Sequence, residues 1–141
     1  GKWIYVANEL SSSVTRLDRN KDGSYSMGST VSSLPAGYSE ANTCADIHIS
    51  SDGKFVYVSN RGHNSIAVMK VNEDDGTLKL LGNKGCGGEG PRNFSLSPDE
   101  NFMLIANQHT NNIVTLSRDP STGMLKYVGQ VQAPTPVCII F

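Results

Sequence analysis

Apolar and polar residues alternate in short bursts along this chain, and nowhere is the 3.6-residue spacing of an amphipathic helix sustained. The bursts are rich in Val, Ile and Tyr and are separated by Gly, Asn, Asp and Ser, which is the pattern of short β-strands joined by turns. In the middle of the chain this predicts strands over 45–50, 55–60, 65–71 and 77–81. Ser51-Asp52-Gly53 and Glu73-Asp74-Asp75-Gly76 supply turns, because Asp and Gly accept the backbone angles that hairpins demand. The plan recurs over 93–97, 102–107, 112–117 and 124–131, with turns at Pro98-Asp99-Glu100 and at residues 119–123.

The recurrence is a sequence repeat as well as a pattern. KWIYVANELSSSV from Lys2, KFVYVSNRGHNSI from Lys54 and NFMLIANQHTNNI from Asn101 align without gaps. Each carries an aromatic residue second (Trp3, Phe55, Phe102), an Asn seventh (Asn8, Asn60, Asn107) and a β-branched residue six further on (Val14, Ile66, Ile113). The periods, 52 and then 47 residues, match the spacing of β-propeller blades. The fold class is therefore all-β, a β-propeller fragment of about three four-stranded antiparallel blades. Residues 1–31 form a partial blade that begins at its second strand, 45–83 and 92–131 form whole blades, and 137–141 match only an innermost closing strand. Propellers close with about four to eight blades, so about three leave two apolar faces wet, which invites aggregation or pairing. The chain reads as the C-terminal part of a single propeller domain, its remaining blades being the first partner expected.

Composition narrows the partners further. Of 141 residues, 38% are hydrophobic and 18% charged, with a formal net charge of -1. No Lys/Arg block tracks a phosphate backbone, so nucleic acid is not an expected partner. No apolar run approaches the roughly 20 residues that span a bilayer, so a membrane is not expected either. The opening Gly1-Lys2-Trp3-Ile4-Tyr5-Val6 is already strand-like and carries no signal-peptide pattern. The cytoplasm is the expected compartment. Cys44, Cys86 and Cys138 are widely spaced and form no Cys-x-x-Cys pair or Cys/His cluster, so unpaired thiols and no metal or other cofactor are expected.

Strands that run alternately up and down sort their loops onto two faces. The loops 8–13, 60–64 and 107–111 share one face with the connections 35–44, 85–92 and 133–136, and long connections on a rigid scaffold are where binding residues gather. After the repeated Asn the residue changes from Glu9 to Arg61 to Gln108 while the frame stays constant. These are solvated loop residues or site residues, and the pattern alone leaves both open. Asn8 and Asn60 stand beside them as candidate binding groups, against a structural role in which Asn adopts the left-handed turn conformation and bonds its own turn. Asp46 and His48, two apart on one strand, share a face. They suit either a base and its orienter or hydrogen bonds between blades, since the equivalent residues are Asn93 and Ser95. Arg92, after Gly90-Pro91, enters near the channel mouth and suits capture of a carboxylate or phosphate. The Gly-rich stretch KGCGGEGP leads into a strand without a Lys-Ser/Thr ending, which argues against a phosphate loop.

VANELSSSV, ADIHISSDGKFVYVSNRGHNSIAV, GEGPRNFSLSPDENFMLIANQHTNNIV and the ending PTPVCIIF closely resemble the seven-bladed propeller lactonase family, which includes bacterial 6-phosphogluconolactonases and fungal carboxy-muconate cyclases. The resemblance covers essentially the whole chain. It implies a seven-bladed ring, a small-molecule lactone of sugar-phosphate type as substrate, a site at the central channel and no cofactor. It carries the family's site Glu onto Glu9 and its Asn-Arg-Gly arginine onto Arg61, the expected catalytic pair. The family's further His and Arg belong to upstream blades absent here. Asp46 stands where relatives often have Glu, and Ser51 replaces the usual turn Pro, but neither departure touches the pair. Two other activities stay open: a lactonising cyclase acting on a carboxylated muconate, and a non-catalytic propeller that binds peptides or glycans.

Overall fold

The computed structural model describes residues 2–141; Gly1, the first residue of the expected partial blade, lies outside the described residues. Eleven strands run in chain order: β1 (Trp3–Asn8), β2 (Ser13–Arg19), β3 (Tyr25–Ser32), β4 (Thr43–Ile49), β5 (Phe55–Arg61), β6 (Ser65–Val71), β7 (Leu78–Gly85), β8 (Pro91–Leu96), β9 (Phe102–Asn107), β10 (Asn112–Arg118) and β11 (Leu125–Gln132). They form one three-stranded sheet, β1-β2-β3, and two four-stranded sheets, β4-β5-β6-β7 and β8-β9-β10-β11. Every pairing is antiparallel between sequence neighbours. These three blades agree with the expected plan to within a few residues at strand ends.

The core lies between blades, as a stack of small two-faced sheets requires. Strand β5 is buried along Phe55–Asn60, and its alternate residues face opposite ways. Phe55 and Tyr57 join Phe94, Met103, Ile105, Val114 and Leu116 between blades two and three. Val56 and Val58 join Val14, Tyr5, Ala7 and Val31 between blades one and two. Strand β4 packs against β1 on one side and β8 on the other, which lines the innermost strands up around the axis.

The repeated aromatic has a specific partner in the following blade. Gly76 and Gly123 sit at φ +72° and +73° in the turns before β7 and β11, and a Cβ on either would collide with the ring of Trp3 or Phe55. Only a residue without a side chain lets the aromatic lie flat on that turn. Two residues along, the Tyr5 and Tyr57 hydroxyls donate to the carbonyls of the same glycines at 2.7 and 2.9 Å. Each blade thus grips the outer turn of the next.

One expectation needs correction. In the loops 8–13, 60–64 and 107–111 the non-Gly residues in the left-handed conformation are Ser12, Asn64 and Asn111, at φ 50°, 53° and 54°, not the repeated Asn four positions earlier. Their carbonyls accept from the backbone N–H groups of Ser33, Cys86 and Ala133, closing each blade's upper edge in the same way. The segment Val137–Phe141, expected to pair with blades outside this chain, has no ladder partner among the described residues. It still occupies the place of a next innermost strand. Ile139 N–H donates to Asn93 Oδ1 at 2.6 Å, just as Phe94 N–H of β8 donates to Asp46 Oδ2 of β4 at 3.1 Å.

Candidate functional site

Each whole blade's innermost strand carries one extra residue near its upper end. Between Cys44 and Ile47 of β4, and between Pro91 and Asn93 of β8, the register slips against the second strand. A bulge of this kind re-aims a side chain out of the ladder. The slip leaves Ala45 and Asp46 of β4 and Arg92 of β8 without a ladder partner, and Ala45 and Arg92 line the same pocket with Glu9, Cys44 and Arg61. The pocket measures about 190 Å³ and opens to solvent at the upper end of the innermost strands.

Glu9 and Arg61 meet there from successive blades. Arg61 Nη2 donates to Glu9 Oε1 at 2.5 Å and to the Cys44 carbonyl at 3.0 Å. The Glu9 side chain is 62% exposed and that of Arg61 23%, so the carboxylate stands at the mouth and the guanidinium below it. Among the described residues, Glu9 Oε2 and Arg61 Nη1 make no hydrogen bond, and Arg61 Nε is buried without a partner. Arg92 is exposed and has neither a hydrogen-bond nor an ion-pair partner among the described residues. Two guanidinium groups against one carboxylate leave the pocket positive. Cys44 contributes backbone only: its thiol points at Ser33 and Asn60, and burial pushes its pKa up despite those bonds, so it is no nucleophile.

The other expected site residues are placed elsewhere. Asn60 is fully buried, its amide bonded to both the hydroxyl and the carbonyl of Ser33, so it has no face for a ligand. Asn8 donates to Ser13 and Thr15 hydroxyls inside its own sheet. Gln108, the counterpart of Glu9 and Arg61, is not among the pocket residues; its backbone N–H donates to Gly90. Asp46 and His48 do meet, Nε2 to Oδ2 at 3.2 Å, but Asp46 Oδ2 also accepts from Asn93 Nδ2 at 2.6 Å and from Phe94 N–H. Burial raises the Asp46 carboxyl, yet the hydrogen bonds and the His48 charge outweigh it and hold the pKa below the ordinary carboxylate value. A carboxylate so occupied is a clamp between blades rather than a base. The His48 ring rests on Phe94, centroids 4.8 Å apart.

A family model described as a seven-bladed β-propeller lactonase matches residues 1–141. The chain belongs to that lactonase family. Over 100 residues it is 39% identical to the 6-phosphogluconolactonase of Bacillus subtilis, covering 70% of this chain and 29% of that protein. Among solved structures, a protein from Lactobacillus plantarum superposes with a TM-score of 0.94 at 38% identity, covering 98% of this chain and 41% of that one. The periplasmic gluconolactonase of Pseudomonas aeruginosa superposes with a TM-score of 0.92 at 29% identity, covering 98% and 39%. The chain spans under a third of the length of curated relatives such as the Bacillus enzyme. In this lactonase-family chain no group of three or more His, Cys, Asp or Glu converges among the described residues. No helix of the described residues is long and apolar enough to cross a membrane.

Of the residues lining this pocket, Glu9, Arg61 and Arg92 were singled out from the sequence, whereas Ala45 and the Cys44 carbonyl were not. A backbone acceptor leaves no mark on residue type. The bulge that turns Ala45 inward follows from pairing with β5, which the β4 residues alone do not encode.

Proposed function

We propose that Glu9 and Arg61 are this chain's share of a lactone-hydrolysing site, assembled in the full-length protein at the channel mouth of a single propeller domain. The observation that carries this reading is the ion pair itself, which keeps one free acceptor, Glu9 Oε2, and one free donor, Arg61 Nη1, at an open pocket. In the reaction the acceptor takes a proton from water as its oxygen bonds to the lactone carbonyl carbon. The charge that builds on the carbonyl oxygen falls to the guanidinium, already held by Glu9 and the Cys44 carbonyl. The ring C–O bond then breaks, and the proton on Glu9 passes to the departing ring oxygen. Relatives named 6-phosphogluconolactonase support a sugar-phosphate lactone as substrate. Three unpaired cysteines, two of them buried, support a reducing compartment such as the cytoplasm.

The test is hydrolysis of 6-phosphoglucono-lactone by the full-length protein. Glu9→Gln and Arg61→Ala are each expected to slow it at least about tenfold, whereas the 141-residue chain alone is expected to be essentially inactive, with one wall of the channel missing. A full-length protein indifferent to both substitutions would overturn the reading and favour a binding module.

A further inference from the structure

The pocket contains one more charge than hydrolysis requires. Arg61 is paired with Glu9, but Arg92 at the same opening has no ion-pair partner among the described residues. Asp46, the acid of the neighbouring inner strand β4, is already committed to Asn93, Phe94 and His48. An arginine kept unpaired costs the fold repulsion from Arg61 and returns nothing to it. Nor is its direction accidental. Arg92 sits on the bulge of β8, the one position of that strand released from the ladder, and its counterpart in β4 is the small Ala45, which leaves the space between them open. Exposed at this pocket, the Arg92 guanidinium offers paired N–H donors suited to phosphate oxygens.

We propose that Arg92 is a specificity-determining residue that binds the phosphate ester of the substrate and selects phosphorylated over neutral sugar lactones. The assignment rests on the hydrolytic site above but is separable from it. Arg92 acts on the end of the substrate remote from the ring-opening carbonyl, so it is a binding group and takes no part in proton transfer.

Two measurements on the full-length protein test it. The first is the ratio of kcat/KM for 6-phosphoglucono-lactone to that for unphosphorylated gluconolactone. Arg92→Gln is expected to lower that ratio at least about tenfold, chiefly through KM, and Arg92→Lys to restore part of it, since a charge-assisted contact to phosphate is worth about that factor. Equal loss on both lactones would assign Arg92 to structure or chemistry and overturn the proposal. The second is calorimetric binding of 6-phosphogluconate against gluconate, which needs no turnover. Affinity for the phosphorylated acid should fall at least about tenfold in Arg92→Gln. Phosphogluconate binding that ignores Arg92, or no binding at all, overturns the subsite. Arg92-dependent binding in a protein that hydrolyses neither lactone would sustain the subsite and sink the hydrolytic reading instead.

Discussion

Blades two and three are written with one sequence plan and end in different surroundings. In blade two both faces of β5 are covered, and Phe55 is 3% exposed. In blade three Met103 and Ile105 are fully buried against blade two, while Phe102, the counterpart of Phe55, is 40% exposed. Blade one mirrors this at the other end, where Ile4 and Val6, the counterparts of Val56 and Val58, are 41% and 39% exposed. The difference teaches that a propeller residue's energetic role is set by the neighbouring blade. Its own sheet gives it direction only.

The largest expected effect tests that statement directly. In the 141-residue chain Phe55→Ala should cost about 3–5 kcal/mol, the range for emptying a buried aromatic site, and Phe102→Ala less than about 1 kcal/mol. Urea titration followed by the fluorescence of Trp3 reads both. In a longer chain whose next blade covers Phe102 the two costs should converge. Equal costs already in the short chain would break the comparison.

A second contrast sharpens it. Gly123 and Gly53 have nearly the same φ, +73° and +72°, but a Cβ at Gly123 meets the Phe55 ring whereas nothing lies within 4 Å of one at Gly53. Both Ala variants pay the left-handed penalty of about 1–2 kcal/mol. Gly123→Ala should lose about 1–3 kcal/mol more from overpacking. Equal losses would mean that the turn does not seat the ring.

The smallest effect concerns the clamp between the same two blades. Asp46 has a depressed pKa in the folded state, so its contribution is present above the unfolded value of about 4 and is lost as pH falls through the folded value. Asp46→Asn should cost about 1–3 kcal/mol at pH 7 and flatten the loss of stability below about pH 4. It should not abolish that loss, because the turn carboxylates of Asp52, Asp75, Asp99 and Asp119 are also depressed. An unchanged acid limb would show that Asp46 is not a clamp.

The strands and their grouping were legible because period-two runs and Asp-Gly turns are local signals, and a repeat triples them. The second-position aromatic was visible as a repeat but not as a contact, since Phe55 and Gly123 are 68 residues apart. For Asn60 the sequence left a binding and a structural role open for a related reason, and its burial favours the structural one. Its neighbour Arg61 faces the pocket, and only burial, which depends on Ser33 from the preceding connection, separates the two roles. Glu9 and Arg61 were legible because they vary inside a constant frame, whereas Gln108 varies equally and lies outside the pocket. Variation marks a position freed from packing and does not say what that freedom serves.

The bulge on each innermost strand carries a consequence for how such a scaffold changes over time. The extra residue is excused from the ladder, so its identity is decoupled from the pairing that holds the blade together. Ala45 in one blade and Arg92 in the next fill the same slot with opposite properties, one small and neutral, the other long and charged. A protein built this way can exchange charge, reach or volume at its axis by single substitutions that leave its strands untouched. Each such bulge adds one setting of this kind, so a ligand preference can change while the strand pairing stays as it is.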